Sequence, residues 1–478
     1  MLQLRLILAV SLFKNVITDL RVDPLVHTNV GLIKGLKASD GDYSMFLGIP
    51  YAIVDKGNPF GASLPHPKFD EIFEAYDDSA LCPQLNDNTN TITGTLDCLH
   101  LNVFTPNSAT SLNLLPVLIY IHGGYLQRGA FGRGTYGPKF LMQHDIVLVT
   151  INYRLGPYGF MCLSTPEIPG NQGLKDQLKA LRWIKDNIEA FGGDPSQVTI
   201  TGQSAGAAAI DFHLMYPGER LFNKVILQSG VALTPERMIE LDNETPMRLA
   251  EYFEFKTSDL NDALTFLVTK DTNSIIEATL ELGIGFRACV EKEFEGVERF
   301  IPQHPATADR PNVKNIPVLL GSVDKEFLAS YADKKSDFFH NLTIFRDSLN
   351  NVFDFGDDLE VVHRNLRNFY VGDHVMTDED KWKVIDFMSD FSYVHPIQRA
   401  MRKYRQNEAS NIYFYVFNYD GGRNLVKYRD NVNAPGATHA DELGYLFDVS
   451  FITEEPSPGD QAVIDRMTTM WTNFVKYG

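Results

Sequence analysis

Positive charge is scarce in this chain. Lysine and arginine number 43 against 61 aspartates and glutamates, a net charge of −18 over 478 residues. A phosphate-binding surface needs a basic excess, so nucleic acid is not an expected partner. The acidic balance reads as solubility and names no partner of its own. Long apolar runs are also missing, and no segment after the N-terminus is long and apolar enough to cross a membrane as a helix. There is no internal repeat, low-complexity tract or evident linker, which argues against a solenoid or a string of modules. Cysteine is limited to four residues. Cys82 and Cys98 bracket a polar, turn-rich segment that suits a loop closed by a disulfide. Cys162 and Cys289 sit in apolar or mixed surroundings and read as buried free thiols. No metal or cofactor is expected.

At the N-terminus Arg5 precedes a short apolar run, Leu6 to Phe13. A basic residue followed by an apolar core too short to span a bilayer reads as a secretory signal. The expectation is a signal peptide over residues 1–18, a single domain over 19–478, and a secreted protein. Sequons at Asn243-Glu244-Thr245 and Asn341-Leu342-Thr343 fit that compartment as glycosylation candidates.

From about Leu115 to Gly230, short apolar runs alternate with helical patterns. Pro116–Ile121, Ile146–Ile151, Val198–Thr201 and Val225–Gln228 read as strands. Leu174, Leu178, Leu181, Ile184 and Ile188 recur at spacings of three and four, with Asn171 as a candidate cap and Gly192-Gly193-Asp194-Pro195 as a stop. Buried strands separated by amphipathic helices predict an α/β fold with a mostly parallel sheet covered on both faces. Further strands are expected at Ile316–Leu320 and Ile412–Phe417. The helical stretch between them, about 324–406, is expected to form inserted cap helices over the sheet.

The run Gly202-Gln203-Ser204-Ala205-Gly206 lies between a strand pattern and a small-residue helix start. Gly-x-Ser-x-Gly in that setting is the nucleophile elbow of an α/β-hydrolase fold. By itself the pentapeptide is common and carries little weight. Its context supplies the other parts that serine ester hydrolysis needs: a base, an acid and an oxyanion hole. His122-Gly123-Gly124 ends a buried strand upstream, so the N–H groups of Gly123, Gly124 and Ala205 are the expected oxyanion donors. Of twelve histidines, His439 lies late in the chain in a loop-like segment, as the order Ser, acid, His requires. Asp324 and Glu326 both follow the strand ending near Gly321, and spacing alone does not separate them.

Ordered motifs then extend across nearly the whole chain. Among them are Phe46-Leu47-Gly48-Ile49-Pro50-Tyr51-Ala52, Asp97-Cys98-Leu99-His100-Leu101-Asn102-Val103, Asn152-Tyr153-Arg154-Leu155-Gly156, Asp176-Gln177, Phe191-Gly192-Gly193-Asp194-Pro195 and Gln228-Ser229-Gly230. With the elbow, they resemble the type-B carboxylesterase/cholinesterase family. The resemblance implies Ser204, Glu326 and His439 as the catalytic triad, Ser229 as a supporting serine behind it, and Cys82–Cys98 as the first disulfide. It implies a serine carboxylesterase that cleaves lipophilic or acetate-type esters through an acyl-enzyme.

The departures narrow this reading. No tryptophan stands in the Cys82–Cys98 loop, so choline esters are not expected. Gln203 replaces the family's usual glutamate. Gln203, Asp176-Gln177 and Gly436-x-x-His439-x-x-Glu442 resemble the insect juvenile hormone esterase pattern, although the arginine-phenylalanine pair of that group is missing. The overall look is closest to insect antennal and integument carboxylesterases. Phe327 follows Glu326 where the family usually has glycine, a change expected to shift the acid's loop. Family members continue past Gly478, so the sequence is expected to stop short of the family's C-terminal end. The alternatives are a juvenile hormone esterase-like hydrolase and a non-catalytic or ligand-sequestering cholinesterase-like protein.

Overall fold

The computed structural model describes residues 24–86, 89–110 and 112–478. The expected signal segment, residues 1–18, lies outside the described residues.

Nine strands form the principal sheet: β1 (Leu36–Lys37), β2 (Tyr43–Pro50), β3 (His100–Pro106), β4 (Leu115–Ile121), β5 (Val147–Ile151), β6 (Gly193–Gln203), β7 (Lys224–Gln228), β8 (Val318–Val323) and β9 (Ile412–Phe417). Their spatial order is β9-β8-β7-β6-β4-β5-β3-β2-β1. The six strands from β5 to β9 through β4 pair in parallel. Strands β1, β2 and β3 extend the sheet antiparallel.

Burial on both faces follows from the alternation of side chains along each strand. In β4, Val117, Ile119 and Ile121 enter one core cluster, while Leu118 and Tyr120 enter another. The first cluster is closed by α1 (Gln172–Asn187), which contributes Leu174, Leu178, Leu181 and Ile184. The second is closed by α3 (Pro458–Tyr477), which contributes Ile464, Met467, Trp471 and Phe474. Between them in the chain, α2 (Ala205–Met215) follows β6 directly and is wholly buried.

Helical segments fill the connection between β8 and β9, as the sequence predicts. They gather Leu328, Phe339, Phe345, Val384, Ile385 and Phe387 into a cluster of their own. Phe327 packs against both this cluster and the main core.

Several local expectations are corrected. Asn171 occupies the N-cap position of α1 but does not cap it. Its φ is +57°, and its amide instead donates to the Cys289 carbonyl at 2.9 Å and to Glu291 Oε1 at 2.7 Å. Glu291 also pairs with Lys175 at 2.7 Å, so Asn171 joins a buried network rather than a helix end. Gly192, at φ +80°, does terminate the helical turn, but Gly193-Asp194-Pro195 already belongs to β6. Strand β8 starts at Val318, two residues later than the apolar run, because Pro317 has no N–H for the ladder.

Cys162 and Cys289 are not free thiols. They form a second disulfide beside Cys82–Cys98, with 127 residues between them in sequence. Gly170 makes room for it: a Cβ there would stand 2.5 Å from Cys289 Sγ and 2.9 Å from Cys162 Sγ. Two apolar surroundings far apart in sequence can be one place in the fold, which spacing cannot reveal.

The motif pair Arg154 and Asp176 is likewise structural. The guanidinium donates to both carboxylate oxygens, at 2.7 and 2.8 Å, and to the carbonyls of Pro59 and Gly61. Both side chains are fully buried, and the fork satisfies nearly every donor, which is what a buried pair requires.

Candidate active site

The C-terminal ends of β4, β6, β7 and β8 converge on Ser204. The turn from β6 into α2 holds this residue at φ 58° and ψ −121°, a conformation that side chains disfavour and that the surroundings must enforce. The Ser204 N–H donates to the Gln228 carbonyl at 2.8 Å. The two flanking glycines are sterically required. A Cβ on Gly206 would stand 2.1 Å from the Ile121 carbonyl oxygen, and one on Gly202 would stand 2.7 Å from Gly206 itself.

The glycine turn after β4 packs directly on this elbow. A Cβ on Gly123 would meet the Gln203 carbonyl oxygen at 2.6 Å and Ser204 Cβ at 3.1 Å. His122 braces the turn, with its Nδ1–H donating to the Gly123 carbonyl at 2.9 Å and its ring stacked on Tyr153 at 4.5 Å. Burial pushes His122 down to about 4, so the ring is neutral at working pH. The N–H groups of Gly123, Gly124 and Ala205 donate to no other protein group among the described residues. They are free to receive an oxyanion beside the serine.

His439 and Glu326 come from two loops laced together by backbone. The His439 N–H donates to the Glu326 carbonyl at 3.3 Å, Lys325 N–H to Ala437 O at 3.1 Å, and Ala437 N–H to Asp324 Oδ1 at 2.9 Å. Asp441, buried one turn on, accepts from the N–H groups of Val426, Lys427 and Thr438 and from Asn424, anchoring the loop from inside. Across these loops His439 Nδ1 meets Glu326 Oε2 at 2.6 Å. The other oxygen, Oε1, accepts the Val323 N–H at 3.1 Å. Glu326 is fully buried and His439 a quarter exposed. The two acidic candidates thus have different contacts: Glu326 faces the imidazole, whereas Asp324 holds the loop backbone. Phe327 does not move the acid out of reach of His439. Its ring packs beside Tyr393, 5.9 Å away, and Tyr393 in turn lies 4.9 Å from the His439 ring.

Three contacts had no signal in the sequence. The Gln203 side-chain amide lies 3.1 Å from His439 Nε2. Because Nδ1–H faces a carboxylate, Nε2 of the neutral ring is the acceptor and the amide the donor. Glu442, buried near Glu326, accepts from Gln228 Nε2 at 3.2 Å, and burial with the nearby Glu326 charge raises it to about 8. Arg237 is buried beside Tyr125, the residue after the glycine turn. Periodicity is silent on all three, since only the sheet's crossovers bring the segments together.

Ser229, expected to support the triad, is fully buried at φ 48°. Its N–H donates to Gly321 O at 2.8 Å, but its hydroxyl makes no hydrogen bond. Asn243 and Asn341, the glycosylation candidates, are both exposed. No group of side chains suited to a metal ion occurs among the described residues, and none of their helices is long and apolar enough to cross a membrane.

A cleft of about 680 Å³ is lined by Gly123, Gly124, Gln203 and Ala440. A second hollow of about 230 Å³ is lined by Tyr125, Arg237, Phe327 and Tyr393. The first is bounded by the glycine turn and Gln203, and the second by Tyr125, directly after that turn, and by Tyr393, whose ring lies 4.9 Å from His439.

Comparison with known proteins agrees with this architecture. Residues 22–478 match the carboxylesterase family. Esterase FE4 of Myzus persicae is 32% identical over 463 residues, 91% of this chain and 80% of that protein. A juvenile hormone esterase of Tribolium castaneum is 30% identical, covering 95% of this chain and 84% of its own length. Among solved structures, the juvenile hormone esterase of Manduca sexta, with OTFP covalently attached, superposes with a TM-score of 0.82 at 25% identity, covering 95% of this chain and 90% of that one.

Proposed function

The chain belongs to the carboxylesterase family and hydrolyses carboxylic esters, and from that premise we propose that Ser204, His439 and Glu326 are its catalytic triad. The observation that carries the assignment is the 2.6 Å contact between His439 Nδ1 and Glu326 Oε2, set behind a strained serine whose backbone neighbours offer free N–H groups.

In the proposed cycle His439 Nε2 takes the Ser204 hydroxyl proton as Oγ attacks the ester carbonyl. Negative charge then gathers on the carbonyl oxygen, where Gly123, Gly124 and Ala205 donate. Glu326 holds the ring with Nε2 toward the serine and stabilises the imidazolium that forms. His439 returns the proton to the departing alkoxide, which leaves as the alcohol. Water then enters, loses its proton to His439 and attacks the acyl-enzyme, and the acid is released with Ser204 restored.

The protein is proposed to be a single secreted domain over 19–478, glycosylated at Asn243 and Asn341. Two disulfides support an oxidising compartment. The esters proposed are lipophilic ones, since Phe327, Met388, Phe391 and Tyr393 wall the hollow beside His439. Incubation with an organophosphate followed by peptide mapping tests the triad. The adduct is expected on Ser204 alone, and an unmodified Ser204 in inhibited protein would refute the assignment.

A further inference from the structure

The hollow lined by Phe327 and Tyr393 contains a buried cation, Arg237, whose Nε has no acceptor. Arg237 is only 3% exposed, yet its Nε makes no hydrogen bond, and it forms no ion pair among the described residues. Its guanidinium carbon lies 5.4 Å from the centroid of the Tyr125 ring, and those of Arg128 and Arg287 lie 5.8 Å from the same ring. Three guanidinium groups therefore surround one aromatic side chain that directly follows the oxyanion glycines.

This arrangement is costly unless something completes it. Guanidinium groups repel one another, and burial with the Arg237 charge pushes Arg287 down. Arg287 is engaged, donating to the carbonyls of Glu236 and Phe286. The Tyr393 hydroxyl accepts a hydrogen bond from the Arg237 side chain but, raised by burial, stays neutral, so it leaves the charge of the guanidinium uncompensated. Two carboxylates line the same hollow, Glu236 and Asp347. Asp347 accepts from the Thr343 hydroxyl at 2.6 Å, and neither pairs with Arg237. A buried donor without an acceptor is normally matched by a ligand, water or ion, and a planar guanidinium matches a carboxylate in a two-point fork.

We propose that Arg237 is a specificity residue that binds a carboxylate on one limb of the ester substrate, so that this enzyme favours acid-bearing esters whose apolar body lies along Phe327 and Tyr393. The inference rests on the esterase reading of Ser204. It deepens that reading by naming a substrate class: esters with an apolar body and an anionic end.

The test compares charged and neutral esters of equal carbon number on the full chain. For the acyl limb the pair is the p-nitrophenyl half-ester of glutaric acid and p-nitrophenyl valerate. For the alcohol limb it is 4-acetoxybenzoate and 4-acetoxybenzamide. In at least one pair the kcat/KM ratio of charged to neutral ester is expected to be tenfold or more, and to fall at least tenfold in Arg237→Met. Arg237→Lys, which keeps the charge but loses the fork, should retain part of the preference, and it serves if the methionine variant does not fold. Ratios near one in both pairs, or a preference unchanged in Arg237→Met and Arg237→Lys, would overturn the proposal. That result is distinct from failure of the esterase reading, in which neutral esters are not hydrolysed and Ser204 takes no organophosphate.

Discussion

The side-chain amide of Gln203 stands 3.1 Å from His439 Nε2, on the one lone pair that accepts the serine proton in the proposed cycle. An imidazole nitrogen has a single acceptor site. The amide and the Ser204 hydroxyl therefore compete for it, and the amide must withdraw before attack. Gln203→Ala removes the competitor. A neutral hydrogen bond contributes about 1 kcal/mol, so acylation in a single turnover is expected to rise roughly fivefold. A slower acylation would show instead that the amide holds the ring in place.

Loss of the proposed nucleophile should be far more severe. Ser204→Ala is expected to lower kcat on a short-chain aryl ester by roughly 10³- to 10⁶-fold. The folded state should persist, as read by circular dichroism and thermal unfolding, because the Ser204 backbone bond to Gln228 is kept.

Glu326→Gln separates orientation from charge. The amide oxygen can still accept from Val323 N–H, but the group that faces Nδ1–H no longer carries a charge. A fall in kcat of roughly 10³- to 10⁴-fold with little change in KM is expected. An Asp324→Asn variant should lose much less, since Asp324 contacts the Ala437 backbone and not the imidazole.

Glu442 makes stability pH-dependent in an unusual direction. Burial and the nearby Glu326 charge raise the Glu442 carboxyl in the folded state to about 8, so the native state keeps a proton that the unfolded chain releases. This contribution is intact below the unfolded value and is lost as pH climbs toward about 8, at roughly 1.4 kcal/mol per pH unit. Glu442→Gln cannot ionise. Urea unfolding at pH 5 and pH 8 should show the variant gaining stability relative to the parent at the higher pH. A constant difference between the two proteins would count against the buried protonated carboxyl.

Replacing both Cys162 and Cys289 by serine should cost about 2–4 kcal/mol, measured as a lower midpoint in urea. Gly170→Ala should also destabilise the oxidised protein, since the added Cβ meets both sulfurs and φ there is +104°.

Much of the sheet is legible from local pattern. Apolar runs of four to eight residues coincide with β4, β5 and β7 within a residue or two, because continuous apolar character and burial on both faces are the same constraint. Strand β9 also coincides with its apolar run, although that edge strand leaves Tyr413, Phe414 and Val416 exposed. The elbow is legible because its glycines answer to a steric rule at fixed spacing. What escapes is whatever depends on long crossovers. Asn171 looks like a cap because its neighbours form a helix, yet its amide is drawn away by Glu291, 120 residues later. Cys162 looks free because Cys289 is 127 residues away. Arg237 resembles any surface arginine until the glycine turn brings Tyr125 against it.

The Cys162–Cys289 link carries a consequence for the order of events as the chain emerges during synthesis. Cys82 and Cys98 are 16 residues apart and can join as soon as their own loop has formed. Cys162 emerges next and must wait for another 127 residues. During that interval it is the one reduced sulfur beside a freshly made bond, and attack on Cys82 or Cys98 would exchange a correct pair for a wrong one. A maturing molecule caught at this stage should carry a single alkylatable thiol, and a disulfide isomerase should speed recovery of the native pairs more than it speeds their first formation.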